Sequence, residues 1–358
     1  MKENQGTELD QETVGAFVDQ IQQAMMGSAT MAMAHLGDRL GLYAALAEAG
    51  AATPAELADR TGCAERYLRE WSAQQTAVGF LDHDAETGRF RLAPEHAFVL
   101  AIEESPAAFA GGIESITGFF QNLDRVADAF RTGDGVPWGD QHAAIHRGTA
   151  RFFGTAYRAS LLTEWVPALG LDDRLVRGVR VADVGCGHGV STILLAEQYP
   201  QSTFVGIDPH GPSITAARRL AAEAGVADRV AFTAGTADDL EETYDVIWFF
   251  DSLHDLGDPV AALKAANAHL ADDGVVVLVE PFAHDDPANN MSDNPLAGLH
   301  YAASTLLCVP NSLSQSGQVA LGGQAGGAVL GDVLADAGFT TVHTAHTTPV
   351  HAVYGARR

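Results

Sequence analysis

Lysine is almost missing from this chain of 358 residues: of 21 basic side chains only Lys2 and Lys264 are lysines, against 46 carboxylates and a formal net charge of -25. That balance excludes a general nucleic-acid-binding surface, because affinity for a polyanion comes mainly from cations placed on its phosphates. Cysteine is scarce as well. Cys63, Cys186 and Cys308 lie far apart, so they offer neither a disulfide framework nor metal-ligand spacing, and reduced thiols in a cytoplasmic protein are expected. No stretch of roughly 20 apolar residues is free of charge, which argues against a membrane span. No amino-terminal segment joins basic residues to an uninterrupted apolar run, so no targeting signal is read. The length suits one large α/β domain plus a smaller helical one.

What is present begins with helical periodicity. Residues 1 to 12 are polar and read as a frayed end. Residues 13 to 48 read as two helices, with Val14, Phe17, Val18, Ile21 and Met25 on the first and Leu36, Leu40, Leu42 and Leu46 further on. The Ala/Met-rich part, residues 20 to 36, suits burial against a partner protein better than lipid. Thr53-Pro-Ala-Glu56 is a capping box with proline at the first helical position, opening a short helix that ends near Gly62. A second helix, 64 to 78, follows. Phe80-Leu81 and Arg89 to Leu92 then flank a polar turn and read as a small hairpin. Helix, turn, helix and hairpin suggest a winged-helix unit over 13–104. Its DNA-reading use is disfavoured, since residues 33 to 100 hold ten acidic against six basic side chains, and a structural or dimerising role is expected.

Residues 105–170 read as a helical cap and linker dense in aromatic and imidazole groups, which can form one wall of a substrate pocket. From residue 171 to 358 the pattern changes to short apolar strands alternating with helices: 179 to 184, 203 to 207, 229 to 233, 244 to 250, 274 to 280, 339 to 343 and 350 to 355. That is a mostly parallel, doubly wound sheet. A long Asn-, Ser-, Gly- and Pro-rich insertion, 284–322, carries a helix around Leu299 to Leu307 and reads as a cover.

In such a sheet, ligands bind beyond the carboxyl ends of the strands where the strand order reverses. The first strand ends at Asp183-Val184, and Gly185-Cys-Gly-His-Gly189 follows, a turn whose glycines allow close approach of a ligand. Asp208 ends the second strand, placed to accept hydrogen bonds from ribose hydroxyls. The spacing is Gly-x-Gly-x-Gly, without the Gly-x-Gly-x-x-Gly pyrophosphate turn, which weakens a nicotinamide dinucleotide and leaves room for a nucleoside lacking phosphates.

Asp-Val-Gly-Cys-Gly-His-Gly, Gly-Ile-Asp208, Ala-Gly-Thr-Ala-Asp-Asp-Leu240, Tyr-Asp-Val-Ile-Trp-Phe-Phe-Asp251 and Asp-Asp-Gly-Val-Val-Val-Leu-Val-Glu280 follow the motif order of class I S-adenosylmethionine-dependent methyltransferases. The amino-terminal half resembles the winged-helix-like dimerisation region of the small-molecule methyltransferases of actinobacteria. The resemblance implies a Rossmann-like seven-stranded sheet with its last strand antiparallel, S-adenosyl-L-methionine as cofactor, a homodimer, and a small, aromatic or heteroaromatic acceptor methylated at O, N or C by in-line displacement. It implies that Gly185, Cys186, Gly187 and Gly189 surround the methionine part, that Asp183 holds its amino group, and that Asp208, followed by Pro209, binds ribose. Asp238, Ala237, Phe250 and Asp251 are the expected contacts around the adenine and the strand end. An acidic residue is common in the family where this chain has Thr236. The Asn-Pro-Pro-Tyr motif of amino-group methyltransferases is missing after the fourth strand, where Asp251-Ser-Leu-His254 stands.

Methyl transfer from a sulfonium needs an aligned acceptor, and a protein base only where the acceptor must lose a proton. His254, Asp255 and His146 are the candidates, His254 because it directly follows the fourth strand. Phe153, Tyr157, His284, Tyr301 and Cys308 are candidate acceptor-lining residues. His284-Asp285-Asp286 reads as a solvated turn, and no required metal is expected. Two alternatives stay open: an inactive, ligand-responsive winged-helix regulator, and a nicotinamide-dependent oxidoreductase.

Overall fold

The computed structural model describes residues 9–358. Residues 1–8 of the expected frayed end lie outside the described residues. The chain divides into two compact units, Met1–Thr117 and Gly118–Arg358. Among the described residues, no helix is long and apolar enough to cross a membrane.

The first unit opens with α1 (Gln11–Arg39), capped by the Asp10 carboxylate on the Glu12 amide, and continues with α2 (Leu42–Ala49). In α3 (Pro54–Thr61) the Thr53 hydroxyl accepts from the Glu56 amide while Glu56 accepts from the Thr53 amide, and Gly62 ends the helix in the left-handed conformation. This satisfies donors that a helix start leaves free. α4 (Glu65–Ala77) follows, then the hairpin of β1 (Asp82–Asp84) and β2 (Arg89–Arg91). The first hairpin strand starts two residues later than its apolar pair suggests. The amides of Phe80 and Leu81 both donate to the Gln75 carbonyl and close α4, and Leu81 turns into the core. That core gathers Leu42, Tyr43, Leu46, Leu57, Leu68 and Trp71. On α4, the solvent-exposed Arg66 and Arg69 pair with Glu70 and Glu65 at helical i,i+4 spacing.

The second unit is built on a seven-stranded sheet of β3 (Arg180–Val184), β4 (Thr203–Asp208), β5 (Val230–Ala234), β6 (Tyr244–Phe250), β7 (Leu270–Pro281), β8 (Thr341–Thr347) and β9 (His351–Arg357). Its order is β5-β4-β3-β6-β7-β9-β8, with β9 antiparallel to both neighbours and the other neighbouring pairs parallel. The fold class is thus a Rossmann-like seven-stranded sheet preceded by a helical winged-helix-like domain. Strands β6 and β7 read as unbroken apolar runs because both sheet faces are covered. Val246, Trp248 and Phe250 pack in one cluster, and Ile247 and Phe249 in the cluster on the opposite face. The order reverses between β3 and β6, so the carboxyl ends of these two strands open onto the same crevice.

Candidate functional site

Neighbouring strands β3 and β4 each end in a buried carboxylate. Asp183 Oδ2 accepts hydrogen bonds from the hydroxyls of Ser191 and Thr192, at 2.8 and 2.6 Å, in the first turn of helix Val190–Gln198. Its Oδ1 is buried with no hydrogen-bond partner. Burial pushes the Asp183 carboxyl up to about 6, against the pull of the two hydroxyls. Asp208 accepts from the amides of Gly187 at 3.0 Å and His210 at 2.8 Å, and burial raises its pKa too, opposed by these bonds.

Between them, Gly185, Gly187 and Gly189 all take positive φ, but their surroundings differ. A Cβ on Gly189 would run into the Phe232 ring, whereas one on Gly187 would meet nothing within 4 Å. Gly189→Ala therefore adds a core clash to backbone strain, and an expected loss of about 2–4 kcal/mol. Gly187→Ala carries only the strain, about 1–2 kcal/mol. Urea unfolding of the two variants checks the difference. Equal losses would mean that Phe232 yields without cost.

The β6 side of the crevice holds a second polar group. Asp251 adopts φ 49°, and its carboxylate takes the Tyr157 hydroxyl at 2.9 Å and faces His351 Nε2 at 3.2 Å. Ser252 donates to the Val184 carbonyl, tying this turn to the end of β3. His254 follows, 4 % exposed. Its Nδ1 is engaged by Glu280 Oε2, while Glu280 Oε1 accepts from the Leu253 amide. Its Nε2 lies 3.3 Å from Asp255 Oδ1. Burial alone would push the imidazole down, but Glu280 and Asp255 outweigh it and hold the pKa well above the ordinary imidazole value. Nδ1 bonded to a carboxylate leaves Nε2 as the nitrogen that can exchange a proton with a ligand.

The remaining candidates fall into several places. Cys186 is buried beside Gly206, and burial pushes its thiol well up, as for a compact core residue. Pro209 is exposed, and Asp238 is exposed on the turn Ala237–Asp239, which Thr236 and Asp239 cap reciprocally. Ala237 and Phe250 pack in clusters on opposite sheet faces, with Phe250 stacked on Trp248 and 5.3 Å from the Tyr157 ring. His146 is not brought to His254. Its Nε2 donates to the Trp138 carbonyl at 2.8 Å, and its ring lies 4.4 Å from that of His210, at the Asp208 end.

Phe153 and Tyr157 stack together, and Phe153 also meets the His351 ring. Tyr157 begins a π-helical segment, Tyr157–Trp165, and Cys308 ends another, Ser304–Cys308. Tyr301 accepts from Asn290. His284 lines a separate cavity of about 360 Å³ with Phe282, Asp285, Gly327 and Tyr354. Sequence reasoning passed over Glu280 and His351 as members of the site. A charge closing the otherwise apolar run Val275 to Val279 was the readable signal for Glu280. Nothing local marks His351.

Residues 182–276 match the family described as "Methyltransferase domain", and residues 28–102 match the "Rv2258c-like winged HTH domain". Among curated proteins, a trans-aconitate 2-methyltransferase of Deinococcus radiodurans is 30% identical over 112 residues, 31% of this chain and 42% of that one. The chain spans less than half the length of the first curated relatives it matches. Two solved structures share the fold over nearly their whole length. An O-methyltransferase family protein from Burkholderia thailandensis superposes with a TM-score of 0.67 at 18% identity, over 98% of this chain and 99% of that one. Human N-acetylserotonin methyltransferase, solved with its S-adenosylmethionine, gives 0.69 at 18% identity over 99% of each chain.

Proposed function

We propose that this chain, a class I methyltransferase fold joined to a winged-helix-like domain, transfers the methyl group of S-adenosylmethionine to a hydroxyl of a small aromatic or heteroaromatic metabolite. The observation that carries the reading is the pair of buried carboxylates at the ends of β3 and β4, with an open glycine turn between them and one Asp183 oxygen unpartnered. A buried, unpaired carboxylate oxygen calls for a donor, and the amino group of the cofactor is a cationic one. Asp183 would hold that group, Gly187 would let it approach, and Asp208 would take the ribose hydroxyls. When bound, the cofactor supplies an electrophilic methyl carbon on a sulfonium.

The chain supplies orientation and a proton acceptor. Phe153 and Tyr157 would flank an aromatic acceptor. Its hydroxyl would pass its proton to Nε2 of the neutral form of His254, a form whose share grows as pH rises, because Glu280 and Asp255 keep the imidazole protonated near neutral pH. Glu280 fixes the ring and balances the resulting imidazolium. An acceptor that must lose a proton is the one that makes use of this pair, which favours oxygen over an amine. The O-methyltransferase relatives agree with that choice. His146 stands at the Asp208 end, so His254 is the base in this reading.

A cytoplasmic homodimer completes the proposal. Val14, Phe17, Val18, Ile21 and Met25 remain exposed along α1, and a second copy would cover them. Light scattering at twice the chain mass is expected. The net charge of -25 argues against a nucleic-acid partner. Calorimetry with S-adenosylhomocysteine, NAD being run in parallel, tests the cofactor, and adenosylhomocysteine formation over a panel of phenols tests the reaction. One-site binding of the former is expected. Binding of NAD alone would overturn the reading in favour of redox chemistry.

A further inference from the structure

His254, Asp255 and Cys308 come from distant segments, yet one donor atom from each lies within 4.8 Å of the others. Three further observations bear on this group. The Nδ1 of His254 is engaged by Glu280, the arrangement that fixes an imidazole so that its other nitrogen, once deprotonated, can ligate. Asp255 Oδ1 is buried 3.3 Å from Nε2, and the Cys308 thiol interacts with both the Asp255 carboxylate and the His254 imidazole. Gly323 borders the group, and a Cβ there would lie 3.7 Å from the Cys308 sulfur and 3.8 Å from His254 Nε2. The glycine thus leaves a space faced by two of the three donors.

Tetrahedral zinc, with nitrogen and oxygen at roughly 2.0–2.2 Å and sulfur at about 2.3 Å, spaces its donors by about 3.3–3.6 Å. The imidazole and carboxylate already stand at that separation, and an approach of about an ångström at the sulfur completes the set. One thiolate and one carboxylate neutralise a divalent ion, which suits a buried site. Sulfur and imidazole donors select zinc over magnesium or calcium.

We propose that His254, Asp255 and Cys308 bind a thiophilic divalent cation, zinc above all, and that this ion switches turnover off by occupying Nε2. The Cys308 thiol and the His254 imidazolium, at Nε2, each give up a proton to solvent on binding. The inhibitory half rests on His254 being the base proposed above, while the binding half does not.

Cobalt(II) titration of the full chain, with neither cofactor nor acceptor present, reads binding by itself. A sulfur-to-cobalt charge-transfer band should saturate at one equivalent, disappear on adding zinc, and be lost in Cys308→Ser, which keeps Cys63 and Cys186. Glu280→Gln, read the same way, should weaken cobalt binding by about 10–100-fold, as loss of the group that orients a histidine ligand does. Circular dichroism and S-adenosylhomocysteine binding establish that each protein is folded. No band in folded wild type, a band that persists in Cys308→Ser, or unchanged affinity in Glu280→Gln would overturn the site. Zinc that binds at one equivalent and leaves adenosylhomocysteine formation untouched would overturn the inhibitory half, and with it the role of His254, while the site stands.

Discussion

Replacing His254 by glutamine is expected to lower kcat for a phenolic acceptor by about 10²–10⁴-fold, the range that loss of a positioned base produces, with little change in S-adenosylhomocysteine affinity. Glutamine is the informative variant because its amide can still donate to Glu280, so the carboxylate keeps a partner while the proton acceptor is gone. His254→Ala should lose as much activity and also about 3 kcal/mol of stability, because Glu280, 2 % exposed, would keep a buried charge without its counterion. The two variants separate chemistry from packing. The defect should shrink for acceptors whose hydroxyl is already ionised, since a base then has nothing to remove. A His254→Gln enzyme with wild-type kcat, or a defect independent of acceptor acidity, would leave His254 a structural residue.

The sheet was legible because β6 and β7 are nearly continuous apolar runs and because glycine and carboxylate punctuate the ends of β3 and β4. Those signals are local and periodic, and they place Asp183, Gly187 and Asp208 beside one another without long-range information. Partnership between distant residues was not legible. Glu280 reaches His254 only because β7 lies beside β6, and His351 reaches Asp251 only because β9 lies antiparallel against β7. The adenine side shows the same limit: Phe250 and Ala237 are close in the motif order, yet the alternation of β6 puts Phe250 on the face opposite Ala237. His146 is drawn to His210 by the fold of the helical segment, a contact that no spacing in the sequence announces.

Cofactor affinity is expected to fall by up to about tenfold for each pH unit below about 6, the slope for one titrating group, because Asp183 must be ionised to meet an ammonium and burial raises its carboxyl to about 6. The contribution of Asp183 to the stability of the free protein should move the other way. The folded state binds this proton more tightly than the unfolded chain, whose carboxyl has the ordinary value of 3.8. The Asp183 contribution to stability is therefore greatest below that value and is lost as pH rises through about 6, about 3 kcal/mol in all. Asp183→Asn should remove both contributions. Its amide oxygen can still accept from Ser191 and Thr192, so the variant should be more stable near neutral pH while binding the cofactor more weakly. His146, His188 and His210 titrate nearby with pKa values lowered by burial, and their protonation destabilises the fold on acidification. The difference between the wild-type and Asp183→Asn curves removes their share. Parallel affinity curves for the two proteins between about pH 5 and 7.5 would mean that the ammonium is held elsewhere. Parallel urea-unfolding curves would mean that Asp183 titrates in the ordinary carboxylate range.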